Sequence, residues 1–290
     1  MKCNLCPRNC GALRTERDGG GVCGMPWAPI VAKRMLHRWE EPCLTGENGA
    51  GAVFFTGCAL RCAYCQNRAI SRPDAEARAG SKAVGVAELR GMFRELIGRG
   101  AACLDLVTPS HFAPLVREAL RGEEWPVPVV WNSSGYEKVE TLRPLEGLVQ
   151  IYLPDMKYAL PDLAEAYSGA ADYFQWAAPA IEEMFRQTGP YRMENGKLLS
   201  GVLIRHLMLP GELENTRRVI DWFSRTFRPG DALFSLMRQY TPQPGAAGKL
   251  SRRVTGAEYR AAVAYMQNCG VADGYTQDAA SAADGYTPDF

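Results

Sequence analysis

Long apolar runs are missing from this 290-residue chain. No stretch approaches the roughly 18 consecutive apolar residues that a membrane span needs, so no spanning helix is expected, and no membrane partner. The opening Met1-Lys2-Cys3-Asn4-Leu5-Cys6-Pro7 also lacks the apolar segment of a secretory signal, and a cytoplasmic location is expected. An excess of one charge is missing too: 33 Lys and Arg face 32 Asp and Glu, a formal net charge of +1. That leaves no polyelectrolyte footprint for non-specific nucleic-acid binding, and nucleic acid is not the expected partner. Histidine is scarce, with only His37, His111 and His206. Cysteine is not: there are ten, and in a reducing compartment such a number points to metal before disulfides.

With 47% hydrophobic and 22% charged residues, the chain can bury a large core, as one domain or one domain with an appendage. Residues 1–48 carry turn formers and little periodicity, which predicts a loop-rich, Cys-rich N-terminal lobe held by bound metal. Residues 49–245 alternate. Short apolar strands are predicted at 52–56, 103–107, 127–131, 149–153, 202–209 and 233–237. Helices are predicted at 86–99, 112–121, 136–143, 161–187 and 214–227. This alternation predicts an α/β fold with a parallel sheet. Six strands are too few for a closed eightfold barrel, so a partial (β/α)6 barrel is expected, with its chemistry at the C-terminal strand ends. Those ends carry Cys58, Thr108, His111, Asn132, Asp155, Lys157 and Gln239. Residues 246–290 read as a last helix (257–268) and a tail with a near repeat, Asp273-Gly274-Tyr275-Thr276-Gln277-Asp278 and Asp284-Gly285-Tyr286-Thr287-Pro288-Asp289. Two similar turns are the favoured reading of that repeat.

Gly57-Cys58-Ala59-Leu60-Arg61-Cys62-Ala63-Tyr64-Cys65 places three thiols on a loop directly after a strand. Three thiolates can wrap one face of an iron–sulfur cube and leave the fourth iron open. A structural zinc site would want a fourth ligand, and none follows nearby. The Cys-x3-Cys-x2-Cys spacing, with Tyr64 before the last cysteine, resembles the signature of the radical S-adenosylmethionine superfamily. The whole chain resembles the PflX family, relatives of the pyruvate formate-lyase activating enzyme, through Cys3-Asn4-Leu5-Cys6-Pro7-Arg8-Asn9-Cys10-Gly11, Glu40-Glu41-Pro42, Cys65-Gln66-Asn67, Leu106 to His111, Tyr152 to Tyr158, Arg205 to Gly211 and Ser235 to Tyr240. The resemblance implies a TIM-like radical S-adenosylmethionine barrel carrying a [4Fe-4S] cluster on Cys58, Cys62 and Cys65. It also implies S-adenosylmethionine at the open iron, with Asp155, Lys157 and Arg205 against its polar parts. Asn132, just after a predicted strand, is expected to join them in binding the cofactor. The Gly-Gly-Glu turn common after the second strand in such enzymes is replaced by Thr108-Pro109-Ser110-His111, where Thr108 or Ser110 is the expected substitute contact.

Cys3, Cys6, Cys10 and Cys23 supply four soft ligands, enough for a second site holding zinc or an auxiliary iron–sulfur cluster; spacing does not separate the two. Cys43 reads as a buried thiol, Cys103 as core and Cys269 as a helix-end residue before Gly270. His111 and His206 flank strand ends and are candidates to line the site, His37 a weaker one; Tyr136 and Tyr240 are expected to pack. Arg253-Val254-Thr255-Gly256 resembles a glycyl-radical loop only by coincidence. The leading function is radical S-adenosylmethionine chemistry on a protein or peptide substrate, with glycyl-radical activation as one such reaction, fed by an external electron donor such as flavodoxin or ferredoxin. The competing functions are the same chemistry on a small molecule or nucleotide, and an iron–sulfur electron carrier without radical chemistry.

Overall fold

The computed structural model describes residues 2–72 and 82–278. Its strands are β1 (Val31–His37), β2 (Ala50–Phe55), β3 (Leu104–Val107), β4 (Val129–Ser133), β5 (Ile151–Pro154), β6 (Arg192–Glu194), β7 (Lys197–Leu207), β8 (Leu233–Met237) and β9 (Gly274–Thr276). They form one sheet in the order β1-β2-β3-β4-β5-β7-β8-β9, with β6 paired to β7. All neighbours from β2 to β9 on that path are parallel. The fold is thus mixed α/β with a parallel sheet, and its six central strands are the six expected from the sequence. They read as continuous apolar runs because both faces are buried; β2, β3, β4, β5 and β8 are buried at every position.

Amphipathic helices connect the strands: α1 (Pro42–Thr45), α2 (Arg68–Ser71), α3 (Val86–Gly98), α4 (Ala113–Leu120), α5 (Val139–Leu142), α6 (Pro161–Ser168), α7 (Tyr173–Thr188), α8 (Leu213–Thr226) and α9 (Gly256–Asn268). In α3, Leu89, Phe93 and Leu96 form the buried stripe. Three expectations need correction. The predicted helix 161–187 is two helices, because Gly169 takes the left-handed conformation (φ 55°) that caps α6. The helix expected over 136–143 shrinks to α5 and a short 3-10 turn, Arg143–Leu145. The sheet also takes a strand from the N-terminal region, where none was foreseen: β1 pairs antiparallel with β2. Its burial is irregular, with only His37 fully buried, so it carries no clean period-2 signal.

The first copy of the tail repeat contributes β9, which pairs with β8; the second copy, 284–289, lies outside the described residues. Thr255 and Glu258 form a capping box at α9, with Glu258 N–H donating to Thr255 Oγ1 (3.2 Å) and Thr255 N–H to Glu258 Oε2 (2.8 Å). Thr255→Ala is therefore expected to lower unfolding stability by about 1 kcal/mol in a urea titration. Among the described residues, no helix is long and apolar enough to cross a membrane.

Candidate functional site

The C-terminal strand ends converge on a cavity of about 210 Å³ lined by, among others, Glu40, Cys62, Cys65, Asn132, Asp155, Lys157 and Arg205. Arg205, from β7, is its hub. Its Nε donates to Asp155 Oδ1 (3.0 Å), Nη1 to Glu40 Oε1 (3.0 Å) and Nη2 to Asn132 Oδ1 (2.6 Å). Lys157 Nζ donates to Asp155 Oδ2 at 2.6 Å. Burial alone would raise the pKa of Asp155, but Lys157 and Arg205 outweigh it and hold the carboxyl below its ordinary value. Asp155 is therefore an anion clamped between two cations, and its Lys157 neighbour keeps its proton.

A second layer lies under this one. Asn132 Nδ2 donates to Glu40 Oε2 (3.2 Å) and to Asp105 Oδ2 (3.3 Å). Asp105 is fully buried, and its Oδ1 has no partner. Burial, then the charge of Glu40, pushes its pKa well above the ordinary carboxyl value, which relieves an otherwise uncompensated anion. Glu41 is similar: burial raises it from 4.5 to about 7, with Arg205 opposing. Because the folded state then binds the extra proton, stability is expected to fall as pH rises from 4.5 through about 7, by roughly 3 kcal/mol in total. Glu41→Gln is expected to flatten that slope in urea titrations across the window, and an unchanged slope would disprove the assignment.

In the Cys58–Cys65 loop, Cys62 and Cys65 lie close enough to Cys58, and Cys62 to Cys65, to oppose ionisation of those two thiols. Burial, then Cys62 and Cys65, lifts Cys58 to about 12; burial also lifts Cys65. Donors face the sulfurs: Leu60 N–H to Cys58 Sγ and Ser71 Oγ–H to Cys65 Sγ, each at 3.4 Å. Among the described residues, no three His, Cys, Asp or Glu side chains converge as ligands of one ion. A cube differs in that each iron takes its own thiolate. Three soft donors, hydrogen-bond donors to their sulfurs and a cationic Lys157 nearby make this donor set chemically suited to such a cluster.

The structure places the other candidates unevenly. Thr108 follows β3 with φ 60°, rare for a β-branched residue; its N–H donates to Asn132 O (2.8 Å), and it is not among the cavity-lining residues. His111 and His206 do not line the cavity either. Both are buried and bonded inside the scaffold, His111 Nε2 to Thr56 O (2.8 Å) and His206 to Met156 O (2.7 Å) and Thr216 Oγ1 (3.0 Å). His37 does line it. Tyr136, Tyr240, Cys43 and Cys103 are buried as expected. Cys269 is the C-cap of α9, and Gly270 follows with φ 74°.

Glu40 and Asp105 were not foreseen as site residues. Asp105 had a readable signal, as the one charge in the apolar strand Leu104-Asp105-Leu106-Val107. Glu40 reaches the site from the turn after β1, which the sequence did not reveal as a strand.

No protein-family model matches the chain. It is similar to Uncharacterized protein MJ0674 of Methanocaldococcus jannaschii, 27% identical over 272 residues that cover 90% of this chain and 73% of that protein. Among solved structures it is similar to methylornithine synthase (PylB), at 15% identity and a TM-score of 0.49. It is also similar to Streptococcus suis SuiB bound to the precursor peptide SuiA, at 12% identity and a TM-score of 0.49. These matches cover 73% and 77% of this chain but span only 60% and 47% of the respective structures.

Proposed function

We propose that the protein is a radical S-adenosylmethionine enzyme, in which Cys58, Cys62 and Cys65 hold a [4Fe-4S] cluster beside an S-adenosylmethionine site. The observation that carries this reading is the shared cavity: Cys62 and Cys65 open into the same space as Asn132, Asp155, Lys157 and Arg205. A reduced cluster of this kind supplies the electron that cleaves the sulfonium of S-adenosylmethionine into methionine and a hydrogen-abstracting 5′-deoxyadenosyl radical. The chain's part is binding, orientation and exclusion of water. Lys157 and Arg205 offer positive charge to a carboxylate; Asp155, Glu40 and the Asn132 carboxamide offer acceptors to an ammonium or to ribose hydroxyls. Phe54, Val107, Leu207 and Met237 form the apolar part of the wall and keep stray hydrogen donors away from a reactive centre.

The finer reading is a PflX-like, activating-enzyme-like protein in a partial barrel, cytoplasmic, acting on a protein or peptide substrate with electrons from flavodoxin or ferredoxin. It rests on the sequence resemblance. The reading is tested by adding S-adenosylmethionine to the reconstituted, reduced protein. The cluster's electron paramagnetic resonance signal is expected to change shape, and to stop responding in Asp155→Ala; an identical signal with and without the compound counts against the site.

A further inference from the structure

A second cavity, of about 430 Å³, opens beside the one described above and shares Trp39, Glu40, Arg205, Met237 and Gln239 with it. The sheet sets its position. Asp155 bridges to Arg205 of β7, Arg205 is in register with Ser235 of β8, and Ser235 with Tyr275 of β9. Residues in register on parallel strands face the same side of a sheet, so these four form one row. Asp155 and Arg205 line the first cavity, while Arg205, Ser235 and Tyr275 line the second. Ser235 is the short side chain between two long ones, and it leaves room there.

Two buried polar groups of this second cavity lack fixed partners. Ser235 is 1% exposed, and its Oγ makes no hydrogen bond. Glu41, which precedes α1, is 9% exposed. Arg205 gives its donors to Asp155, Glu40 and Asn132, so among the described residues the Glu41 carboxyl has no ion-pair partner. The Ser235 hydroxyl lies near enough to Glu41 to lower its pKa, and the two therefore serve one small volume. Buried acceptors without partners are costly, and a bound donor removes that cost. At the rim stand one further carboxylate, Asp278, and one guanidinium, Arg38. Trp39 lines the same space, and an indole attracts cations. An ammonium, with three donors and no acceptor, matches a carboxylate and a hydroxyl; an anionic group would meet Glu41.

We propose that this second cavity is the substrate subsite and takes an ammonium-bearing group, with Glu41 as its counterion and Ser235 Oγ as a second acceptor. The proposal rests on the radical S-adenosylmethionine reading, which makes the neighbouring cavity the source of the radical. Glu40 and Arg205 form the common wall. A substrate held by Glu41 thus borders the cofactor without competing for Asp155 or Lys157, which line the first cavity and not the second.

The test is calorimetric titration of the reconstituted full chain, with saturating S-adenosylmethionine, against two amines. n-Pentylamine stands for a small-molecule source and Nα-acetyl-L-lysine methylamide for a peptide side chain; the neutral N-acetylated form of each is its control. At least one amine is expected to bind, the tighter of the two naming the source, and acetylation is expected to weaken it about tenfold or more. Glu41→Gln, which keeps the shape and removes the charge, is expected to weaken amine binding about tenfold as well. Ser235→Val, which fills the space between Arg205 and Tyr275, is expected to abolish it. Circular dichroism checks the folding of both variants. The proposal is overturned if neither amine binds the wild type, if the acetylated controls bind equally, or if folded Glu41→Gln binds the amine as tightly as the wild type. These outcomes are separate from the radical reading, which fails on the wild-type protein's spectral response to S-adenosylmethionine.

Discussion

Arg205→Leu is expected to destabilise the protein by about 3–5 kcal/mol and to abolish S-adenosylmethionine binding in equilibrium dialysis. The magnitude follows from what is left behind. Arg205 is the shared partner of Glu40, Asp155 and Asn132, and removing one member of a largely buried ion pair leaves an uncompensated charge rather than a mere gap. Glu40 loses its ion-pair partner, and Asp155 keeps only Lys157. Arg205→Lys is not a rescue, because one ammonium lacks the planar fork that meets three groups at once. Unchanged unfolding free energy in Arg205→Leu would mean that this network is not the keystone of the strand-end site.

Gly135→Ala is expected to be the most damaging single-methyl change at the site. Gly135 has φ +73°, and a Cβ there would sit 2.3 Å from the Asp155 carbonyl oxygen and 3.1 Å from Tyr173 Oη. The left-handed conformation costs an alanine about 1–2 kcal/mol, and displacing packed backbone adds about 1–3 kcal/mol. The displaced atom matters, since Asp155 O accepts from Tyr173 Oη (2.7 Å) at the end of β5 and the Asp155 carboxylate holds Lys157 and Arg205. Affinity for S-adenosylmethionine should fall with stability. Gly147→Ala separates the two contributions: its φ is +79°, but nothing lies within 4 Å of the added methyl. Only the conformational cost is expected there, with binding retained. Equal losses in the two variants would remove the steric argument.

The central strands were legible because strands buried on both faces leave uninterrupted apolar runs, and the functional strand ends because polar residues break those runs abruptly. Asp155, Lys157, Arg205 and Asn132 were found that way or through the family resemblance, and they do meet in one cavity. What escaped depends on longer-range pairing. β1 shows no clean alternation, so neither its antiparallel pairing to β2 nor the delivery of Glu40 could be read locally. His111 and His206 sit at strand ends yet turn into the scaffold, a choice made by Thr56, Met156 and Thr216 from other elements. The split between α6 and α7 was signalled by Gly169, a residue that also marks ordinary helix interiors at modest cost.

The central claim is that the Cys58–Cys65 loop and the Asp155–Lys157–Arg205 cavity make one radical-generating site. Its most direct measurement is 5′-deoxyadenosine formation by anaerobically reconstituted protein with dithionite and S-adenosylmethionine, compared with Cys62→Ala. The expected result is product from the wild type and none above background from the variant. No product from a wild type with a filled cluster, or equal product from both proteins, would contradict it.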